Sequence, residues 1–104
     1  MSVIRIENGA FAGIGAESVY LPDGLKEIES NAFADCENLL VIRIPASVES
    51  IAEYAFPGCT SSLCIYGIPQ SAAYNFAIKK GYHFFHELTG KEENNTLPVF
   101  PIGW

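Results

Sequence analysis

Ile28 to Val48, IESNAFADCENLLVIRIPASV, is the stretch that decides the fold, because its spacing returns on both sides of it. Ala32-Phe33 recurs as Ala10-Phe11 and Ala55-Phe56, and Cys36 recurs as Cys59, 23 residues on. The same interval links Val19, Ile42 and Ile65; Leu21, Ile44 and Gly67; Leu25 and Val48; Ile28 and Ile51; and Pro22 and Pro45. Only the upstream half of the first copy is shorter. Phe11 to Phe33 and Ile6 to Ile28 are each 22 apart, so one residue is missing between Phe11 and Val19. A period in this range marks a chain built by stacking one small unit, each level burying the apolar face of the next.

Each Phe follows small or polar residues and precedes Gly or Asp, which predicts a short helical turn that drives the ring inward. Such a turn is too short to hold alone and is stabilised by the levels above and below. Next come alternating segments, Ser18-Val19-Tyr20-Leu21, Val41-Ile42-Arg43-Ile44 and Cys64-Ile65-Tyr66-Gly67, which read as strands. Alternation puts Val19, Leu21, Ile42, Ile44 and Ile65 inside and Ser18, Tyr20, Val41, Arg43, Cys64 and Tyr66 outside. Levels of a parallel sheet lie about 4.8 Å apart. Tyr20, Arg43 and Tyr66 therefore form one outward column, with the guanidinium expected between two phenol rings. Those six outward residues are the candidate partner-binding face, since Tyr and Arg commonly anchor interfaces. The same column also reads as a cross-strand ladder that serves stability alone.

The repeat breaks at Ser71 to Gly81, SAAYNFAIKKG, which reads as the one proper helix, near 71–80. Ser71 suits its N-cap, Lys79 and Lys80 its C-terminal dipole, and Gly81 the residue past its end. Ala73, Phe76 and Ala77 share one face and are placed to close the last coil. A final strand is expected near 82–85. Glu87 to Thr96 reads as a polar linker, and Leu97 to Trp104 turns apolar again. Val99, Phe100, Ile102 and Trp104 are the expected docking residues of that tail, on the first coil of its own or a neighbouring chain or on an external partner. Asn94-Asn95-Thr96 matches a glycosylation sequon, meaningful only in a eukaryotic secretory pathway. Because Val3 aligns with Leu25 and Ile6 with Ile28, the chain is expected to open in mid-repeat. It is then either a piece of a longer array or a small protein whose first coil is covered by its tail or another subunit.

Composition narrows the function. A chain of 104 residues, 49% hydrophobic and 17% charged, fits one small core. A net charge of −6 with scattered basic residues argues against a nucleic-acid backbone. No apolar run approaches the roughly 20 residues of a membrane-spanning helix, and Met1 to Arg5 lacks the apolar region of a secretory signal. His83 and His86, three apart on a strand, face opposite sides, so no metal is expected. Cys36 and Cys59 take the inward repeat position. Free core thiols are expected there rather than a Cys36–Cys59 bridge, with Cys64 left over. No nucleophile motif or phosphate loop is present, and no cofactor is implied.

The pattern I-x3-AF-x2-C-x2-L-x2-I-x-IP-x2-V, filled by Ile28, Ala32, Phe33, Cys36, Leu39, Ile42, Ile44, Pro45 and Val48, resembles the leucine-rich repeats of BspA-like bacterial surface proteins over residues 3–86. The first copy departs by Ile14 for Cys and by its deletion; the third has Leu63 shifted by one and Gly67 for the second Ile. The resemblance implies an α/β repeat solenoid: a short right-handed leucine-rich-repeat coil of about three repeats over residues 1–86, with a small parallel β-sheet, short helical turns and a C-terminal capping helix. Residues 87–104 then form a polar linker and an apolar tail. It also implies a non-enzymatic protein-recognition or adhesion module, on the cell surface or secreted, with the cytoplasm left open. A structural element that self-associates through its first coil and tail is the alternative.

Overall fold

The computed structural model describes residues 4–93. Its strands are β1 (Arg5–Ile6), β2 (Ser18–Tyr20), β3 (Glu27–Ile28), β4 (Val41–Arg43), β5 (Ser50–Ile51), β6 (Cys64–Gly67) and β7 (His83–His86), and its helix, α1, spans Ala72–Lys80. Every pairing between these strands is parallel, in two sheets: β1-β3-β5 and β2-β4-β6-β7. The expected single small sheet is thus two. The second is made by the Ile6, Ile28 and Ile51 positions, where two-residue strands are too short to show the alternation by which a strand is read from sequence.

The register follows the repeat interval. Val19, Ile42 and Ile65 are Cα partners, joined by Phe84 on β7. Ile42, Ile65 and Phe84 are fully buried, with Leu39, Ile44 and Leu63 beside them. Leu63 therefore fills an interior slot although it stands one residue later than Leu39 does in its own repeat. From the other sheet Ile6 and Ile28 close the same core, and no polar or charged side chain is buried among the described residues.

The Phe-bearing segments, expected as short helical turns, are hydrogen-bonded turns instead. Left-handed residues interrupt them: Gly13, Asp35 and Gly58 hold equivalent positions at φ 73°, 56° and 78°. Backbone bonds run from level to level. Phe11 N–H donates to the Ala32 carbonyl (2.9 Å), Phe33 N–H to that of Ala55 (2.9 Å) and Asp35 N–H to that of Pro57 (2.7 Å). The rings stack in step, Phe11 to Phe33 at 5.5 Å and Phe33 to Phe56 at 5.2 Å, the second pair only 7° from parallel. The repeat cysteines serve this ladder as thiols. Cys36 Sγ donates to the Phe11 carbonyl (3.2 Å) and Cys59 Sγ to that of Phe33 (3.0 Å), and all three cysteines are free.

Helix α1 caps the far end. Its N-cap Ser71 accepts from Tyr74 N–H at 3.3 Å, Gly81 closes it in the left-handed conformation, and Ala73, Phe76 and Ala77 are the buried face. Gly67 explains the third repeat's departure from Ile. A Cβ there would lie 3.0 Å from the Ile44 carbonyl oxygen, 3.3 Å from the Phe84 ring and 3.4 Å from Ala73 Cβ. The missing side chain is the space into which α1 and β7 pack. The last strand runs one residue later than expected, since Tyr82 precedes it and packs on Phe56 and Phe76. The polar segment that follows is tied back as far as Glu93: Glu92 pairs antiparallel with Phe85, and Glu93 N–H donates to the Phe84 carbonyl (2.7 Å).

Candidate functional site

The outward face of the four-stranded sheet gathers the six residues expected there. Tyr20, Arg43, Tyr66 and Phe85 are successive Cα partners, and Ser18, Val41, Cys64 and His83 form the row beside them. A cavity of about 360 Å³ opens over this face, lined by Tyr20, Val41, Arg43, Tyr66 and Glu87. Tyr20 forms its rim, 73% exposed, while Val41 is half-buried. Tyr66 lies flat on Phe85, with ring centres 5.0 Å apart and 13° between planes. Ser18 and Cys64 share the face without lining the cavity. Val99, Phe100, Ile102 and Trp104 lie outside the described residues.

Arg43 corrects the expected sandwich. Its donors go to carboxylates and a carbonyl instead of ring faces. Nε reaches Glu87 Oε1 (3.0 Å), one terminal nitrogen reaches both Glu87 Oε2 (3.2 Å) and Asp23 Oδ1 (2.9 Å), and the other reaches the Leu21 carbonyl (2.9 Å). Hydrogen bonds to charged groups contribute about 1.5–3 kcal/mol, against about 0.5–1 kcal/mol for an exposed cation over a ring, so the carboxylates win. The bond to Glu87 is the main reason that the Arg43 pKa is raised above its ordinary value; burial opposes it and Asp23 adds to it.

Asp23, Phe85 and Glu87 are the residues that sequence reasoning missed. Asp23 sits in the Pro22-Asp23-Gly24 turn leaving β2, and Glu87 directly follows β7, at the point taken for the start of a linker. The signal for Phe85 was there: it alternates correctly with Phe84 on the last strand, but its distance from Tyr66 is not the repeat interval.

Two histidines and a cysteine around the face have structural partners. His83 Nδ1 lies 2.7 Å from Glu92 Oε2, and His86 Nδ1 accepts Leu88 N–H at 3.2 Å. Cys64 donates to the Ser62 carbonyl (3.5 Å), and burial, with Glu92 nearby, holds its thiol pKa above the ordinary value. Among the described residues no group of three or more His, Cys, Asp and Glu side chains is arranged to hold a metal ion. A further cavity, of about 390 Å³, lies on the other sheet's side between β5 and α1, with Glu49, Glu53, Lys79 and Lys80 among its lining.

Stacked parallel strands, an in-register ladder of aromatic rings and a helical cap define the class: a repeat protein in which each level copies the last. The family model described as the BspA type leucine rich repeat region (6 copies) matches residues 1–80, and the chain belongs to this family. Comparison with curated proteins and with solved structures found no match. No helix among the described residues is long and apolar enough to cross a membrane.

Proposed function

We propose that the protein is a non-catalytic recognition module that binds another protein through the outward face of its four-stranded sheet. Residues 1–86 act as a short right-handed solenoid that serves as the rigid support. Family membership supports an interaction or adhesion role, and with it a place on the cell surface or outside the cell. The observation that carries the reading is the groove over Tyr20, Val41, Arg43 and Tyr66. It has an exposed aromatic rim, a half-buried floor and a charged wall on strands whose register is fixed by the core. Such a surface has the composition of an interface centre. Ser18 and Cys64 flank it on the neighbouring row.

A photoreactive benzoylphenylalanine placed at Tyr20 should crosslink the partner in intact cells, whereas the same group at the exposed Glu37, off the groove, should not. Equal labelling from both positions would sink the assignment of the face. A second reading, self-association through the first coil, is favoured by Phe11. This residue is 41% exposed and its ring stacks on Phe33 from one side. Concentration-dependent sedimentation abolished by Phe11→Asp is the outcome expected of that reading.

A further inference from the structure

We infer that the groove receives a basic side chain, a lysine or arginine of the protein partner, and that Asp23 and Glu87, not Arg43, set this preference. The inference rests on the proposed recognition face and specifies the chemistry that the face selects. Arg43 looks at first like an anchor for an acidic partner. Of the five N–H donors of a guanidinium, four are already engaged by Glu87, Asp23 and the Leu21 carbonyl. An incoming carboxylate would meet a satisfied arginine and two like charges.

An incoming cation meets the opposite situation. Two carboxylates against one guanidinium leave one net negative charge at the groove wall. Arg43 fills one acceptor position on each of three oxygens, Glu87 Oε1 and Oε2 and Asp23 Oδ1, of the roughly eight lone-pair sites that two carboxylates offer. The Asp23 side chain is 85% exposed, so its second oxygen is open to a partner. Tyr20 presents a free ring at the rim, and ring faces attract ammonium and guanidinium groups within about 6 Å. Val41 supplies an apolar floor for the methylene stem, in the way long basic side chains lay their carbons on apolar surface. A cavity of about 360 Å³ is at the small end of binding sites, suited to one side chain with its flanking backbone. At longer range the net charge of −6 attracts a basic partner and repels an acidic one.

The test is an NMR titration of the full chain with acetylated, amidated peptides Gly-Gly-X-Gly-Gly in which X is lysine, arginine, norleucine or glutamate. The lysine and arginine peptides should shift the amide signals of Tyr20, Val41, Arg43 and Tyr66 and bind about tenfold tighter than the norleucine peptide. The glutamate peptide should give no saturable shift. Asp23→Asn should weaken the lysine peptide about fivefold and Tyr20→Leu about threefold, with the Tyr20→Leu melting curve unchanged because that side chain is exposed and the Asp23→Asn curve lowered slightly, since Asn keeps an acceptor oxygen for Arg43 but loses the charge. Added salt should weaken the basic peptides and leave the norleucine peptide unaffected. If norleucine shifts the same residues as strongly as lysine, the groove remains a recognition face but the preference for cations is overturned. Shifts from the basic peptides confined to the Glu49 and Glu53 side also overturn it. No shift in the groove with any peptide overturns both this inference and the recognition face.

Discussion

Truncating Phe33 tests the stacked core directly. The ring is fully buried and held between Phe11, 5.5 Å away, and Phe56, 5.2 Å away. Burying a phenylalanine stabilises by about 1.5–3 kcal/mol. Two aromatic contacts add about 0.5–1.5 kcal/mol each. Phe33→Ala should therefore lose about 3–5 kcal/mol, the range seen for large-to-small changes that leave a cavity. Its backbone bonds to Ala55 and from Cys59 survive the change, so the loss reports the ring alone. Phe11→Ala makes the internal control. With 41% of its surface exposed and one ring neighbour, it should lose at least about 1 kcal/mol less than Phe33→Ala. Urea melts of the three chains, compared at constant slope, give both differences. A Phe33→Ala loss below about 1 kcal/mol, or equal losses at the two positions, would refute the ladder as the source of cohesion.

The other expectations concern the cap, the turns and pH. Gly67→Val should press on the Ile44 carbonyl, the Phe84 ring and Ala73, costing about 1–3 kcal/mol and raising hydrogen exchange in α1 and β7; unchanged exchange there would refute the packing role. Gly58→Ala combines a φ of +78° with a Cβ that would overlap the Asp35 carboxylate and should lose more than the roughly 1–2 kcal/mol of left-handed strain. Adding Asp35→Gly should recover the excess, and a double variant no more stable than the single one would rule out the overlap. Burial raises the pKa of Cys59, Cys64 and Tyr82 above their ordinary values. Their contribution to stability is complete below the unfolded-state values and is lost as pH rises through the folded ones. Melts should weaken above pH 9.0, the ordinary thiol value, and Cys59→Ala should flatten the decline. A wild-type profile flat to about pH 11 would contradict this.

Legibility in the sequence followed the interval. Wherever 23 residues separated two positions on the long strands, as from Val19 to Ile42 and Ile65, they became register partners, and the outward column followed without further information. The helix was legible because Ser71, the lysines and Gly81 are local signals that act within one turn of the groups they serve. The short sheet was not, since its strands show no alternation and exist because Ile6, Ile28 and Ile51 are stacked in register with the rest of the levels. The wall of the groove was hidden for a different reason. Replacing one level with a helix resets the interval, so the position of Glu87 above Arg43 follows from how α1 returns the chain to β7 and from no spacing a reader could count.

That placement changes what Arg43 does. As an outward residue in mid-sheet it was expected between two phenol rings on the binding face, yet its side chain is only 23% exposed and ties β2, through Asp23 and the Leu21 carbonyl, to the residue following β7. Both members of its pair with Glu87 are largely covered, so removing the arginine would leave a carboxylate 18% exposed without its counter-charge. Loss of binding in an Arg43 variant therefore has two causes that no single measurement separates, a damaged groove and a loosened end. Tyr20 lines the same groove and is exposed at 73%, so its side chain reports contact with a partner apart from the cohesion of the core.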